Sequence, residues 1–506
     1  MICKNKKNKQ LIPGRAIWAA VIIFIMITAS VPQAVAGPWA APGDIGLRHD
    51  LLLLGDTGLI SAPLSAWPLS WGDIAKDLNN IKSHDAKHQG VEQALQRVKA
   101  RIRQESTRGA RFTSHSSLSV RPLQLRTFND TPRESAEIGA GIEWMGKRLA
   151  YRLRISGVYK PDDKKTLRLD GSYISLLALK NLSVSIDAID RWWGPGWDSS
   201  LILSNNARPV PAIVLKRDYS YPFESKWLKW IGPWQFVTFL GRLEKESKVA
   251  DAMLFGMRFN FKPLSSLEIG LSRTAQWGGK GRPSDLKTFS KLLMGKDNIG
   301  SSGVTSKNEP GNQLAGYDIR WVSPLFNLPY ALYSQFIGED EAGWLPSRHI
   351  GMYGLEAWGD WRSSRSWRLR LEYSDTAAAF LESAPIFNYA YNHSTYGGYR
   401  YYKRSIGSSI DNDGQTLSLG AVIVDKKGRP WNILARWATL NRDNSGSRNS
   451  VTDQKKNILD LEIDNTLYFG KNTISWGAGI QNAKVEQSGN DAVTSGRLFV
   501  QLVHEF

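Results

Sequence analysis

The densest group of side chains able to do chemistry is Arg191-Trp192-Trp193-Gly194-Pro195-Gly196-Trp197-Asp198. It runs on through Leu203-Ser204-Asn205-Asn206-Ala207-Arg208-Pro209. Three tryptophans, two arginines and two asparagines share this one connection. Flat aromatic faces beside planar donors suit sugar rings, because CH faces stack on them and carboxylates pair with guanidinium groups. A competing reading is an aromatic girdle joined to a tight turn. A second group lies in 381–413: Phe387, Tyr389, Tyr391, Asn392, His393, Tyr396, Tyr399, Arg400, Tyr401, Tyr402 and Arg404. Interleaved rings, arginine and asparagine again suit a glycan; the alternative is a loop packed on itself in the mouth of its scaffold. A third stretch, 276–312, carries Trp277 and the cations Lys280, Arg282, Lys287, Lys291 and Lys296 among glycine and serine. Such a loop guides a polyanion through its field, or is simply mobile.

The candidate glycan-binding residues are therefore Arg191, Trp192, Trp193, Trp197, Asn205, Asn206, Arg208, Trp277, Arg282, Tyr391, His393, Tyr396, Tyr399, Arg400, Tyr401 and Arg404. Catalysis is not expected. A hydrolase of the serine type needs a Ser-His pair with an orienting acid or amide. His349 and His393 are the histidines of the outer loops, and neither sits in a serine motif. Asp411 and Asp413 resemble a turn or a weak cation site more than an opposed glycosidase pair. His84 and His88 are four apart, but no third ligand is evident, so a solvated face is preferred. Neither a metal nor any other cofactor is expected.

These loops need a scaffold. Lys4, Lys6, Lys7, Lys9 and Arg15 precede the apolar run Ala16 to Ile27, and Ala34-Val35-Ala36 supplies a small-residue cleavage site. Residues 1–36 are expected to be a signal peptide cleaved after Ala36. The only cysteine, Cys3, falls within it, so no disulfide is expected in the exported chain. Removing those five cations from the formal charge of +18 leaves 18 − 5 = +13. That balance favours acidic polysaccharide or anionic lipid, and export disfavours nucleic acid.

Residues 37–110 read as a helical plug region. Asp44 caps a helix carrying Leu47, Leu51 and Leu54, and Ser70-Trp71-Gly72-Asp73 matches a capping box. Val91, Ala94, Leu95, Val98 and Ile102 make one apolar stripe. In residues 111–506 the period changes to two. Trp367, Leu369, Leu371 and Tyr373 alternate with Arg368, Arg370, Glu372 and Ser374, and similar runs start at Leu149, Met253 and Leu459. An apolar face closed by aromatics against a charged face marks lipid on one side and a polar lumen on the other. Short links at 145–147, 180–181, 263–264 and 425–429 alternate with long ones near 121–135, 191–209, 276–312, 376–413 and 442–455. Asp218 to Pro233 is long where a short turn is due. The last stretch, Leu498 to Phe506, reads as a closing strand. The fold class is all-β: a transmembrane antiparallel β-barrel of about 18 strands with an N-terminal α-helical plug.

Arg191 to Pro209 resembles the capsule assembly protein Wzi family. So do Gln276-Trp277-Gly278-Gly279-Lys280-Gly281-Arg282-Pro283, Tyr399-Arg400-Tyr401 followed by Ile406-Gly407, and Pro63-Leu64-Ser65-Ala66-Trp67-Pro68-Leu69. The resemblance covers nearly the whole chain after residue 36. It implies a barrel of the bacterial outer membrane, closed on the periplasmic side by helices, that binds capsular polysaccharide as a lectin and has no enzymatic activity. The partners expected are a capsular or exopolysaccharide of acidic character and outer-membrane lipid with lipopolysaccharide, with the chain acting as a monomer. An outer-membrane channel for oligosaccharides or ions is the alternative.

Overall fold

The computed structural model describes residues 39–506 except 80, 82–87, 294–310, 326–327, 343–344, 362–364, 447 and 487–490. Residues 1–36, where a signal segment is expected, and His84 and Lys296 lie outside the described residues. Alternation of apolar and polar side chains produces eighteen staves, labelled here in chain order. They are β1 (Gly109–Val120), β2 (Ala136–Met145), β3 (Leu149–Tyr159), β4 (Leu167–Arg168 with Tyr173–Leu179), β5 (Leu182–Asp187) and β6 (Ala212–Arg217). Next come β7 (Trp234–Arg242), β8 (Met253–Leu264), β9 (Leu267–Trp277), β10 (Gly311–Val322), β11 (Tyr330–Ala342) and β12 (Leu345–Trp361). The last six are β13 (Arg365–Asp375), β14 (Gln415–Val424), β15 (Pro430–Leu440), β16 (Lys456–Phe469), β17 (Asn472–Val485) and β18 (Val493–Glu505).

Each stave pairs antiparallel with its neighbours, and β18 pairs with β1 to close the barrel, Phe499 opposite Ser119 and His504 opposite Ser114. Closure removes the free edges that a membrane cannot solvate. Facing follows the alternation: Leu369 and Leu371 point outward and exposed, while Arg368, Arg370 and Glu372 point inward and are buried. Many inward charges are matched in pairs, with Arg258 on Asp318 at 2.6 Å and Arg497 on Asp460 at 2.9 Å. Long connections lie at one end and mostly short ones, such as 180–181 and 470–471, at the other. Outer-membrane barrels keep short turns on the periplasmic side, which orients the molecule.

Three helices among the described residues precede β1: α1 (Ile45–Asp56), α2 (Trp71–Leu78) and α3 (Gln89–Glu105). Among the described residues no helix is long and apolar enough to cross a membrane. Asp44 caps α1, its Oδ1 accepting the Leu47 N–H at 2.9 Å. The stripe of α3 is buried as its spacing requires. Helix α1 is buried on nearly every face, because it sits inside the lumen. Its Asp56 carboxylate receives Arg320 at 2.6 Å and Arg368 at 2.8 Å, and Arg97 of α3 grips Asp50 with two hydrogen bonds. The capping box expected at Ser70 does not form, since Ser70 makes no side-chain cap. Asp73 instead accepts the Ser220 N–H at 2.9 Å and Gln235 Nε2 at 2.9 Å, a stronger use of a buried carboxylate than closing its own helix.

Candidate functional site

The connection from β5 to β6 does not project outward; it folds down into the barrel. Trp192 and Trp193 pair as a short strand with Trp67 and Ala66 of the segment before α2. Trp192, Trp193 and Trp197 are at most 1 % exposed. Phe128, from the β1–β2 loop, meets Trp67, Trp192 and Trp197 edge-on with centroids 5.1–6.3 Å apart. Arg48 of α1 inserts between Phe128 and Trp197, its guanidinium 4.2 Å from each ring centre, and donates to Pro195 O at 2.7 Å. Gly194 turns with φ 142°, and a Cβ there would lie 2.7 Å from Gln335 Nε2, so the turn requires glycine.

Polar groups of the same loop are consumed by the wall. The N–H groups of Trp197, Asp198 and Ser199 all donate to the Glu372 carboxylate at 2.7–3.2 Å. Trp197 Nε1 donates to Glu356 at 2.6 Å. Arg191 pairs with Asp187. Asn205 donates to Phe128 O at 3.1 Å and Asn206 to Ser405 O at 2.9 Å. The tryptophan faces expected to be open to a sugar are therefore closed, and Arg191, Asn205 and Asn206 serve the loop itself.

The β13–β14 connection, 376–414, lies over this plug and grips it. Tyr391 donates its hydroxyl to Leu201 O, Tyr399 donates to Ile202 O at 2.8 Å, and the two rings stack with centres 6.1 Å apart. Burial pushes both hydroxyls well above the usual tyrosine range. Tyr396 and Tyr401 are buried, and Trp277 packs on Phe289, 4.7 Å between centres. His393 is half-buried and accepts the Tyr396 N–H on Nδ1 at 3.3 Å. Arg282 lies 5.9 Å from the Tyr396 ring centre. Arg400 makes a bidentate pair with Asp411, at 2.8 and 3.0 Å. Arg404 caps Asn206 O at 3.0 Å, and its guanidinium is lowered to about 10, by burial first and the Arg133 charge second. Arg208 loses solvation, which lowers it, but Asp170 and Asp163 outweigh this and raise it.

Self-packing thus takes most of the aromatic set, and the rings that reach the outer surface are different ones. Phe387 is 37 % exposed, with Arg442 5.3 Å from its ring centre. Half-buried Tyr389 lies beneath Arg348 at 4.7 Å. Tyr402 is at the tip of the hairpin formed by Arg400–Tyr401 and Arg404–Ser405, and Arg208 and Lys165 approach its ring to 5.2 and 5.9 Å. Lys160, Lys164, Lys280, Lys287, Lys403 and Arg448 are exposed on the same side of the molecule. Sequence spacing does not separate Tyr402 from Tyr401. The left-handed backbone of Tyr402 and Lys403, φ 46° and 65°, makes them the turn and sends Tyr401 inward.

A family model described as capsule assembly protein Wzi matches residues 104–496. An uncharacterized 55.8 kDa protein in the cps region of Klebsiella pneumoniae is 31 % identical over 346 residues, 68 % of this chain and 66 % of that protein's length. The solved structure of Wzi, an outer membrane protein involved in group 1 capsule assembly in Escherichia coli and a carbohydrate-binding β-barrel, superposes with TM-score 0.79. It is 26 % identical, and the match covers 93 % of this chain and 99 % of that one.

Proposed function

The chain belongs to the capsule assembly protein Wzi family, and from that premise we propose that its outer rim holds an acidic capsular polysaccharide at the cell surface. It is a carbohydrate-binding barrel of the outer membrane, and the family is lectin-like rather than catalytic. The observation that carries the finer reading is the pairing at the rim: Phe387, Tyr389 and Tyr402 each have an arginine or lysine beside the ring. An aromatic takes the CH face of a sugar while a neighbouring guanidinium takes its carboxylate. Exposed lysines around them attract the rest of the polymer without fixing its register.

The test is polysaccharide binding by purified barrel carrying Phe387→Ala, Tyr389→Ala and Tyr402→Ala, singly and together. By analogy with bases stacked on aromatics, each ring contributes about 1–3 kcal/mol. Single changes should weaken binding partially and the triple change by well over tenfold, at roughly 1.4 kcal/mol per decade. Unchanged binding by the folded triple variant would remove these rings from the site.

A further inference from the structure

The long periplasmic connection between β6 and β7, 218–233, does two jobs along its length. Its first part is tied to the plug: Ser220 Oγ donates to Asp73 at 3.0 Å, and Lys76 of α2 lies 4.8 Å from the Tyr221 ring centre. Its second part leaves the lumen and lies against the outside of the barrel. Phe223 stacks on Trp234 with centres 4.5 Å apart, and Arg217 covers Trp234 at 3.7 Å. Trp230, in the short 3-10 turn Lys229–Ile231, meets Phe261 edge-on at 6.3 Å. Phe259 and Phe261 alternate with the inward Arg258 and Asn260, so this is the lipid-facing row of β8. The turn reduces Phe261 to 8 % exposure. Gly232 brings the chain back into β7 with φ 69°, where a Cβ would lie 2.0 Å from Lys262 O, so the approach demands glycine.

What this segment shows to its surroundings is unusual for a periplasmic turn. Trp227 is 87 % exposed, Trp230 63 % and Leu228 41 %, and Lys226 and Lys229 are exposed among them. Glu224 is the only acid between Phe223 and Ile231. Amphipathic rings with lysines beside them belong at the level of lipid headgroups, rings among the carbonyls and ammonium groups on the phosphates. The patch is continuous with the apolar belt of β8, which fixes the height at which it meets the bilayer.

We propose that 223–231 is a membrane foot: Trp227, Leu228 and Trp230 insert into the phospholipid headgroup layer of the periplasmic leaflet, and Lys226 and Lys229 bind its phosphates. Because 218–221 holds α2, the foot also fixes the plug to the lipid surface.

The test uses the complete barrel in vesicles of phosphatidylethanolamine and phosphatidylglycerol. Cys3 is the only cysteine, so Cys3→Ser with Trp227→Cys gives one labelling site for an environment-sensitive fluorophore. Trp227 is nearly fully exposed, and a heat-modifiable gel band verifies that the variant is folded. The expected result is a blue shift on transfer from detergent to vesicles, quenching by phospholipid spin-labelled near the carbonyl, and loss of quenching by aqueous iodide. Lys226→Gln with Lys229→Gln should abolish any dependence of the shift on phosphatidylglycerol content. A label that iodide still quenches in vesicles, and that the spin-labelled lipid does not, would overturn the foot and leave a surface for a periplasmic protein.

Discussion

Asp413 shows how a residue in the gripping loop reports on its own environment. Its carboxylate accepts the Asn388 N–H on both oxygens, at 2.9 and 2.8 Å, and is raised to about 7 by burial first, with Asp443 adding to it. An aspartate in an unfolded chain titrates near about 4. With the folded value the higher one, protonation favours the folded loop. That contribution is complete below about pH 4 and is lost as the pH rises through about 7. Cleavage within 376–414 by a protease should therefore be faster at about pH 8 than at about pH 5, after correction for the protease's own profile, and Asp413→Asn should flatten the difference. An equal slope in both proteins would show that another group sets it. The same scale explains what sequence could not separate. A tryptophan that packs and a tryptophan that stacks on sugar are the same residue type, and only the partner distinguishes them. Trp192 reads as a ligand platform until Trp67 and Phe128, far away in the chain, are placed against it. Alanine at Trp192 consequently probes packing, at about 3–5 kcal/mol for a buried ring of this size.

Elements were legible where one side of them meets a uniform solvent. The strands of β8, β13 and β16 alternate cleanly because lipid lies on one face and a polar lumen on the other. The stripe of α3 is clear for a similar reason. Helix α1 was legible from its Asp44 cap and leucine spacing, but its burial on nearly every face was not, since the lumen surrounds it and buries Arg48, His49 and Asp50 with the leucines. The inward course of 188–211 was illegible, as the glycines that end β5 permit either direction. That loop and α1 together decide the channel question. Glu372 and Gln335 on the wall hold the loop through backbone hydrogen bonds that do not involve the helices. The intact protein should show no steady large conductance in planar bilayers, and removal of 39–106 should open the lumen only in part, because 188–211 stays anchored. Steady large conductance from the intact chain would overturn the closed-lumen reading and favour a channel.

At the scale of the whole molecule the question is where the charge goes. The formal +18, or +13 without the five cations of 1–36, does not describe the lumen. Inside, Arg258, Arg320, Arg368, Arg436 and Arg497 face Asp318, Asp56, Glu356, Glu462 and Asp460, and these five charges of each sign cancel. Where a buried arginine has no carboxylate, other groups take its charge: Arg48 rests on Pro195 O and the rings of Phe128 and Trp197, and Arg370 on Asn432 and Trp197. Further lysines and arginines stand at the exposed ends, on the outer loops and in 223–231. Two anionic surfaces compete for the outer set, lipopolysaccharide and polysaccharide, and salt weakens both attractions alike. Chemistry of the polymer separates them. Barrel purified in detergent and stripped of lipopolysaccharide should bind a uronic-acid polymer more tightly than a neutral polymer matched in length. Raising salt from about 50 to about 500 mM should shrink that preference, since the screening length falls below the spacing of neighbouring charges. A residual affinity at high salt, equal for the two polymers, would measure the share of Phe387, Tyr389 and Tyr402, whose contact with CH faces salt does not screen. Preference for the neutral polymer at low salt would mean that the rim's charge serves the membrane and that recognition rests on the rings alone.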